Sequence, residues 1–217
     1  MVRWSFSSLK QYVNCPRQYQ EVKVLQNYTV TVTQQMLYGT EVHKALENYV
    51  RDGTALPKNY ARFGPIVDAL LEAPGEKHVE LELALGHDKL PCHFKSKDYW
   101  VRGIIDLLIL GDNIAFIVDY KTGSARYPDP KQLKLMALLT FIHYPQIQTV
   151  KAGLLFLLHD VFIDEIYQRE DMDKLWEAFT PDIARLEMSF KTGQFAANPT
   201  GLCGWCPVKT CEFHRPR

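Results

Sequence analysis

The stretch GIIDLLILGDNIAFIVDYKTG, residues 103–123, decides the fold because it places two apolar runs on either side of a short polar turn. Runs of this length and composition, separated by Gly and Asn, are typical of two strands joined as a hairpin. If Asp112-Asn113 forms a two-residue loop, Gly111 pairs with Ile114. The stretch therefore predicts an antiparallel hairpin with a carboxylate on each strand.

The same register places Asp106 directly opposite Asp119, with their Cβ atoms about 5 Å apart. Lys121 follows Asp119 by two residues and therefore points to the same face. Two carboxylates this close repel each other unless a cation lies between them, and oxygen ligands favour Mg²⁺ or Mn²⁺. The alternative is a hairpin whose strands simply end in polar residues. A three-residue loop without a bulge would also turn Asp106 away from Asp119.

Three short motifs in and before this hairpin resemble those of the RecB-like PD-(D/E)XK nucleases. Residues 103–106 (GIID) are similar to the family's GxxD motif, residues 119–123 (DYKTG) to its DYKTG motif, and residues 39–43 (GTEVH) to its GxxxH motif. The resemblance implies an enzyme that hydrolyses DNA phosphodiester bonds. It also implies an α/β fold, a PD-(D/E)XK nuclease core with a mixed central β-sheet flanked by helices.

The resemblance assigns a role to each matching residue. His43, Asp106, Asp119 and the backbone carbonyl of Tyr120 would bind Mg²⁺ or Mn²⁺, and Lys121 would be the catalytic lysine. Taken by itself, His43 on an amphipathic helix is more often a surface or core histidine.

Two further positions relate to the family less directly. The family's QxxxY motif is represented by Gln132, which would border the catalytic site, but Met136 stands where tyrosine is usual. This departure leaves open how the DNA strand is held there. Glu80 and Glu82 lie in the strand where relatives often carry another acidic residue.

Three of the five cysteines, Cys203, Cys206 and Cys211, fall within nine residues near the C-terminus. From their spacing alone they could belong to a redox CxxC or to a zinc site completed by His214. Cys92 stands apart and is expected to be an unrelated thiol.

Residues 5–19, SFSSLKQYVNCPRQY, resemble the opening of the iron–sulfur branch of the family, which includes AddB-type nuclease domains and CRISPR-associated RecB-like exonucleases. In that branch one cysteine precedes the nuclease core and three follow it. The resemblance implies a [4Fe–4S] cluster bound by Cys15, Cys203, Cys206 and Cys211. Such a cluster would join the N- and C-terminal segments.

The composition is ordinary for a soluble α/β protein, with 47% hydrophobic and 23% charged residues in 217. No apolar run reaches the roughly 18 residues that a membrane span needs. The N-terminal residues lack the apolar core of a secretory signal. We therefore expect a cytoplasmic protein of a bacterium, an archaeon or a phage-infected host, without membrane association.

The charge balance is neutral, with 25 basic and 25 acidic residues, and does not favour nucleic-acid binding by the surface as a whole. Contact with DNA would depend on local patches. The candidates near the two ends are Lys10, Arg17, Lys23, Lys209, His214, Arg215 and Arg217.

Hydrophobic periodicity predicts helices before, between and after a run of strands. We expect one nuclease domain over residues 1–217, with residues 34–170 as the nuclease core and residues 1–30 and 193–217 as the cluster-binding part. The predicted helices cover residues 5–26 with a break at Cys15-Pro16, 34–51 up to Gly53, 130–143, and 171–192 with a break at Pro181. The predicted strands cover residues 79–85, the two arms of the hairpin, and a pair over 151–169.

Together these features predict a metal-dependent DNA exonuclease that prefers single-stranded ends and serves recombination, repair or CRISPR adaptation. Helicases, recombinases or CRISPR proteins are the partners that the family suggests. The alternatives are a structure- or sequence-specific endonuclease on the same core and a non-catalytic DNA-binding iron–sulfur subunit.

Overall fold

The computed structural model describes residues 2–126 and 128–215, and Arg217, one of the basic residues named above, lies outside them. The chain divides into two compact units. The central unit is Thr33–Ala178, and the terminal unit combines Met1–Val32 with Phe179–Arg217.

Helices lie before, between and after the main strands along the chain. The helices are α1 (Phe6–Asn14), α2 (Pro16–Tyr19), α3 (Gln34–Asp52), α4 (Gly64–Leu71), α5 (Lys131–His143), α6 (Met172–Glu177) and α7 (Thr180–Thr192). The strands are β1 (Trp4–Ser5), β2 (Glu76–Gly86), β3 (Pro91–Cys92), β4 (Tyr99–Leu110), β5 (Ile114–Lys121), β6 (Thr149–Phe156) and β7 (Val161–Gln168).

The strands of the central unit form one sheet in the order β3-β2-β4-β5-β6-β7. The β5–β6 pair is parallel, and its neighbours pair antiparallel. The parallel pair needs a crossover, which α5 supplies. The predicted fold class, a mixed β-sheet flanked by helices, is therefore confirmed.

The hairpin of β4 and β5 has the predicted register. The Gly111 N–H donates to the Ile114 carbonyl at 2.9 Å, as a two-residue loop requires. The ladder runs from Leu110 opposite Ala115 to Leu107 opposite Val118, where it ends. Beyond this point β4 stays paired with β2 and β5 with β6, so the sheet opens into a fork. Because the hydrophobic runs and the turn agree on one register, the two aspartates reach this fork together.

Helices cover both faces of the sheet. Val42 and Leu46 of α3 pack in one apolar cluster with Leu107, Val118 and Tyr120, together with residues of α4 and β6. Helix α5 lies against the opposite face, since its Gln132 contacts Asp119 and Lys121, which alternate with Val118 and Tyr120 along β5. Most of α5 is buried, and α6 packs against it.

Helix α3 begins and ends as its sequence predicts. The Thr33 side chain accepts a hydrogen bond from the Met36 N–H at 3.3 Å and caps the first turn. Gly53 ends the helix with φ 67°, a left-handed conformation that glycine adopts without steric cost. His43 lies between these two caps, which fix where the helix begins and ends.

The terminal unit has a small aromatic core. Tyr12, Tyr19, Phe190 and Phe195 pack with ring centroids 5.4–6.5 Å apart. The Tyr12 hydroxyl also donates to the Arg185 carbonyl of α7 at 2.8 Å. This core joins α1 and α2 to α7.

The predicted break at Cys15-Pro16 is confirmed, since α1 ends at Asn14 and α2 begins at Pro16. The break near Pro181 is also confirmed, with Pro181 in the first turn of α7. Among the described residues, no helix is long and apolar enough to cross a membrane.

Candidate active site

Asp106 lies at the centre of the fork and is nearly buried. Its Oδ2 accepts a hydrogen bond from the Tyr120 N–H at 2.7 Å, across the gap between β4 and β5. The same oxygen lies 3.3 Å from His43 Nδ1. The sheet and α3 therefore meet at this carboxylate.

His43 reaches Asp106 because α3 passes close to the end of β5. A Cβ on Gly39 would lie 3.1 Å from Thr122 Oγ1, so glycine permits this close approach. The His43 ring packs edge-on against the Tyr120 ring, with centroids 6.1 Å apart. Burial alone would lower the pKa of His43, but the hydrogen bond to Asp106 and the nearby carboxylate charges outweigh burial and raise it.

Glu80 of β2 is the third acidic residue at the fork. It lies between two paired positions, Val79 opposite Leu107 and Leu81 opposite Ile105, and thus beside Asp106. Its φ is 49°, a left-handed conformation that costs a non-glycine residue about 1–2 kcal/mol. Burial first, and then the charge of Asp106, raise the pKa of the Glu80 carboxyl.

His43, Glu80 and Asp106 each offer a ligand atom, and these atoms lie within 4.8 Å of one another. Within residues 2–126 and 128–215, they are the one group of three His, Cys, Asp or Glu side chains with ligand atoms so close. One imidazole and two carboxylates suit a divalent cation such as Mn²⁺ or Mg²⁺. The donor set therefore fits the metal that the sequence predicts, with Glu80 in a more central place than its sequence suggested.

Asp119 lies next to this group in a closed hydrogen-bonded triangle. Its side chain is 3% exposed and forms an ion pair with Lys121 Nζ. Gln132 Nε2 donates to Asp119 Oδ1 at 2.7 Å, and Lys121 Nζ donates to Gln132 Oε1 at 3.0 Å. Burial, followed by the charge of Asp106, raises the pKa of Asp119 to about 6, although Lys121 opposes the shift.

The side chains of Tyr120 and Met136 are both buried. The Tyr120 ring belongs to the apolar cluster beneath α3 and contacts the His43 ring, while its backbone N–H donates to Asp106. Met136 is 3% exposed within α5. The methionine at the usual tyrosine position of the QxxxY motif is therefore a core residue and does not contact solvent.

An open groove leads from solvent to the three candidate ligands. Its floor contains His43, Glu80 and Asp106, and its walls include residues of α3, β4 and the segment after β5. The other lining residues are Gln35, Met36, Gly39, Thr40, Lys44, Glu47, Ile104 and Thr122. The three candidate ligands are therefore reachable from solvent through this groove.

The comparisons with known proteins agree with this geometry. A model of the PD-(D/E)XK nuclease superfamily matches residues 3–78 and 64–211. The chain belongs to the PD-(D/E)XK nuclease superfamily. The predicted family is thus confirmed at the level of the superfamily, while the RecB-like iron–sulfur branch stays a prediction.

Two solved structures are similar to this nuclease. A candidate exonuclease from Eubacterium rectale aligns with a TM-score of 0.54 and 11% identity, over 97% of this chain and 86% of that chain. The protein SSO0001 aligns with a TM-score of 0.43 and 14% identity, over 98% of this chain and 87% of that chain. At such low identity the first likeness supports the fold alone. No curated protein matches the nuclease by sequence.

The four cysteines named from the sequence lie in the terminal unit of the nuclease. Cys15, Cys203, Cys206 and Cys211 line one cavity, which His214 also borders. Cys92 lies on β3 in the central unit.

Several of these sulfurs accept hydrogen bonds from N–H groups. Gln18 donates its backbone N–H to Cys15 Sγ at 3.5 Å and its side-chain Nε2 to Cys206 Sγ at 3.6 Å. The Thr200 N–H donates to Cys203 Sγ at 3.3 Å. Donors of this kind suit thiolate ligands, although the first of them also makes Cys15 the N-cap of α2.

Glu80 is the residue whose place the sequence indicated least. Its alternation with Val79 and Leu81 predicts an ordinary strand, and glutamate carries no preference for a left-handed backbone. The sequence offered two glutamates in this strand, Glu80 and Glu82, as possible acidic site residues. In the structure Glu80 joins the site, whereas Glu82 is exposed and lies opposite Ile104.

Proposed function

We propose that this chain is a Mg²⁺- or Mn²⁺-dependent deoxyribonuclease that degrades DNA from single-stranded ends. One observation carries the proposal: His43, Glu80 and Asp106 converge within 4.8 Å beside the Asp119–Lys121–Gln132 triangle. Membership of the nuclease superfamily supports DNA as the substrate.

The proposed metal ligands are His43, Glu80, Asp106 and Asp119, with the backbone carbonyl of Tyr120 completing the set. When bound there, a divalent ion would supply a water of lowered pKa and a positive charge beside a phosphoryl oxygen. Lys121 lies next to Asp119, where its ammonium can orient the attacking water and stabilise the negative charge that develops on phosphate. Gln132 forms hydrogen bonds with both Asp119 and Lys121 and acts as a positioning residue.

The preference for ends follows the family resemblance and the exonuclease name given to the E. rectale protein. Parallel digestion of linear and covalently closed single-stranded DNA of the same sequence tests it. We expect nucleotides from the linear strand and intact circles. Opening of circles at a rate similar to that of linear digestion would establish the endonuclease alternative.

We further propose that residues 1–217 work as one nuclease domain in the cytoplasm. Recombination, repair and CRISPR adaptation are the processes in which DNA ends of this kind arise. Helicases, recombinases and CRISPR proteins are the corresponding partners. A non-catalytic DNA-binding subunit is the alternative, and the complete set of His43, Asp106, Asp119 and Lys121 favours the enzyme.

Lys121→Gln is expected to lower kcat by about 10²- to 10³-fold, because one charge-stabilising donor is lost next to the reacting phosphate. Mn²⁺ affinity should change little, since Lys121 is not a proposed ligand. Calorimetric Mn²⁺ titration and steady-state cleavage separate the two effects. Lys134→Gln on α5 is the matched control and should retain wild-type kcat. A Lys121→Gln enzyme with unchanged kcat would remove the lysine from the proposed mechanism.

Mn²⁺ affinity is expected to fall with decreasing pH. Because the folded-state pKa of Asp119 is raised to about 6, this carboxylate is ionised at pH 7.5 and mostly protonated at pH 5. Proton competition at Asp119 alone should weaken binding by about tenfold between these values, and protonation of His43 adds to the loss. Titration calorimetry at both pH values measures the change. Equal affinity at pH 5 and pH 7.5 would exclude Asp119 and His43 as ligands.

We also propose that Cys15, Cys203, Cys206 and Cys211 bind a [4Fe–4S] cluster with a structural role. The four cysteines line one cavity, and in a [4Fe–4S] cluster each would bind a different iron. The resemblance of residues 5–19 to the iron–sulfur branch of the family supports the cluster over zinc.

The metal at the cysteines can be counted directly. Anaerobically purified protein should show broad visible absorbance and contain iron without stoichiometric zinc. Zinc without iron would establish the zinc-stabilised alternative and leave the nuclease proposal unaffected.

A further inference from the structure

Among the residues that the structure describes, no carboxylate pairs with Arg102 of β4, and aromatic rings hold its guanidinium in place. Its guanidinium stacks on the rings of Phe94 and Tyr99, 4.8 and 4.5 Å from their centroids. Its Nη1 donates to the Phe94 carbonyl at 3.3 Å. Across residues 2–126 and 128–215, these are the contacts of this cation, and most of its five N–H donors stay available.

Arg102 lies on the same face of β4 as the wall of the active-site groove. Ile104, two residues closer to Asp106, projects to that face and lines the groove together with His43 and Asp106. The β2–β4 ladder is regular from Arg102 to Ile104. Four residues of strand separate Arg102 from Asp106, about 13 Å at the usual rise. That distance corresponds to a few nucleotides of DNA.

Apolar side chains line the path between these two points. Ile104 is 41% exposed and Met36, on the α3 side of the groove, is 49% exposed. Exposed apolar side chains beside buried carboxylates can pack against bases. They form no hydrogen bonds with base edges, so this contact does not depend on the base sequence. An unpaired DNA strand presents phosphates and bases along one line. A cation that binds phosphate, apolar side chains that contact bases and a metal site at the cleaved bond match that order.

A carboxylate opposes this path at one position. Glu82 of β2 is exposed and lies opposite Ile104 in the ladder. Its charge repels a phosphate backbone. Lys44, a cation that lines the groove, is already paired with Glu47 at 2.9 Å, so the attraction along this path is assigned to Arg102 and the metal site.

We propose that Arg102 binds a backbone phosphate of the substrate strand a few nucleotides from the cleaved bond, with the intervening bases over Ile104. The proposal rests on the nuclease function proposed above and assigns Arg102 as its substrate-positioning residue. The rings of Phe94 and Tyr99 hold the guanidinium ready, so less side-chain entropy is lost when phosphate binds.

The test is a length series of single-stranded oligonucleotides cleaved with Mn²⁺ by wild type and Arg102→Gln. On substrates too short to reach Arg102, the two enzymes should have equal kcat/KM. On longer substrates, Arg102→Gln should lose about five- to tenfold in kcat/KM, mostly through KM. Its salt dependence should be shallower by about 0.7 in log–log slope, the value for one phosphate of a single strand.

Arg62→Gln is the matched control, because Arg62 also stacks on a ring, that of Phe63 at 4.9 Å, but lies outside the groove. It should behave as wild type at every length. Arg102→Lys keeps the charge and should recover most of the salt dependence. Glu82→Gln should act in the opposite direction and lower KM on long substrates.

A scan with single neutral methylphosphonate linkages uses the unaltered enzyme and stays decisive if Arg102→Gln folds poorly. Wild type should show one sensitive linkage a few nucleotides from the cleaved bond, and Arg102→Gln should be insensitive there. If wild type cleaves DNA and Arg102→Gln shows the same dependence on substrate length, the assignment of Arg102 is overturned. It is also overturned if wild type cleaves DNA but shows no sensitive linkage. Absence of DNA cleavage by wild type would instead overturn the proposed nuclease function.

Discussion

Asp106→Asn should abolish DNA cleavage, with a loss of about 10³-fold or more and a matching loss of Mn²⁺ affinity. Asp106 is the residue that the other candidate ligands share: its Oδ2 lies 3.3 Å from His43 Nδ1, and Glu80 flanks it on β2. Removing one ligand charge from a catalytic metal site costs several kcal/mol of transition-state stabilisation, which corresponds to a loss of this size.

The Asp106→Asn protein should remain folded. The asparagine oxygen can still accept the Tyr120 N–H bond, and the repulsion between Asp106 and the carboxylates of Glu80 and Asp119 is relieved. Circular dichroism and thermal unfolding without metal check this expectation. Asp164→Asn is the control, because Asp164 lies on the edge strand β7 and its carboxylate pairs with Lys151 of β6 instead of the candidate ligands. An Asp106→Asn enzyme that retains a tenth of wild-type activity would place the metal elsewhere.

Cys15→Ser should remove iron from the protein and lower its thermal unfolding midpoint by about 10 °C or more. In a metal-bound segment, ligand binding is part of the folding free energy, and each kcal/mol shifts the midpoint of a chain this size by a few degrees. Serine can keep the N-cap bond from Gln18 to residue 15, so loss of ligation is separated from loss of the cap.

Cys92→Ser is the matched control for this substitution. Cys92 is a partly buried thiol on β3 and does not line the cysteine cavity. It should keep full iron content and a wild-type unfolding midpoint. Equal iron content in Cys15→Ser and Cys92→Ser would show that Cys15 is not a ligand. Unchanged stability after complete iron loss would show that the aromatic core holds the terminal unit by itself.

The hairpin was predictable because several local signals agree. The polar turn at Asp112-Asn113 sets the loop length, and the apolar runs on both sides set the register. Once that register is known, Asp106 and Asp119 are expected to face each other, but the paired ladder ends one position earlier, at Leu107 and Val118. Gly53 likewise made the end of α3 predictable.

Other elements had weaker or misleading signals. Helix α4 was not predicted; it begins at Gly64, with Pro65 in its first turn. The short strand β3 was also missed. Helix α5 shows little amphipathic pattern because it is buried on most sides, so its presence followed from length and composition.

At the site, most of the residues were predictable from the sequence, but the fork in the sheet that brings them together was not. The ladder between β4 and β5 stops just before Asp106 and Asp119, and β2 is distorted at Glu80 in the same row. Both features depend on how three strands and α3 pack together, which no local pattern encodes. The Asp119–Lys121–Gln132 triangle likewise depends on where α5 crosses the sheet.

The most direct test of the central claim is hydrolysis of linear single-stranded DNA by wild type and Asp119→Ala, measured with Mn²⁺ and again with EDTA. The proposed metal centre predicts release of nucleotides by wild type with Mn²⁺, none with EDTA, and none by Asp119→Ala under either condition. Equal activity of wild type and Asp119→Ala with Mn²⁺, or activity of wild type that persists in EDTA, would contradict a metal-dependent nuclease at this site.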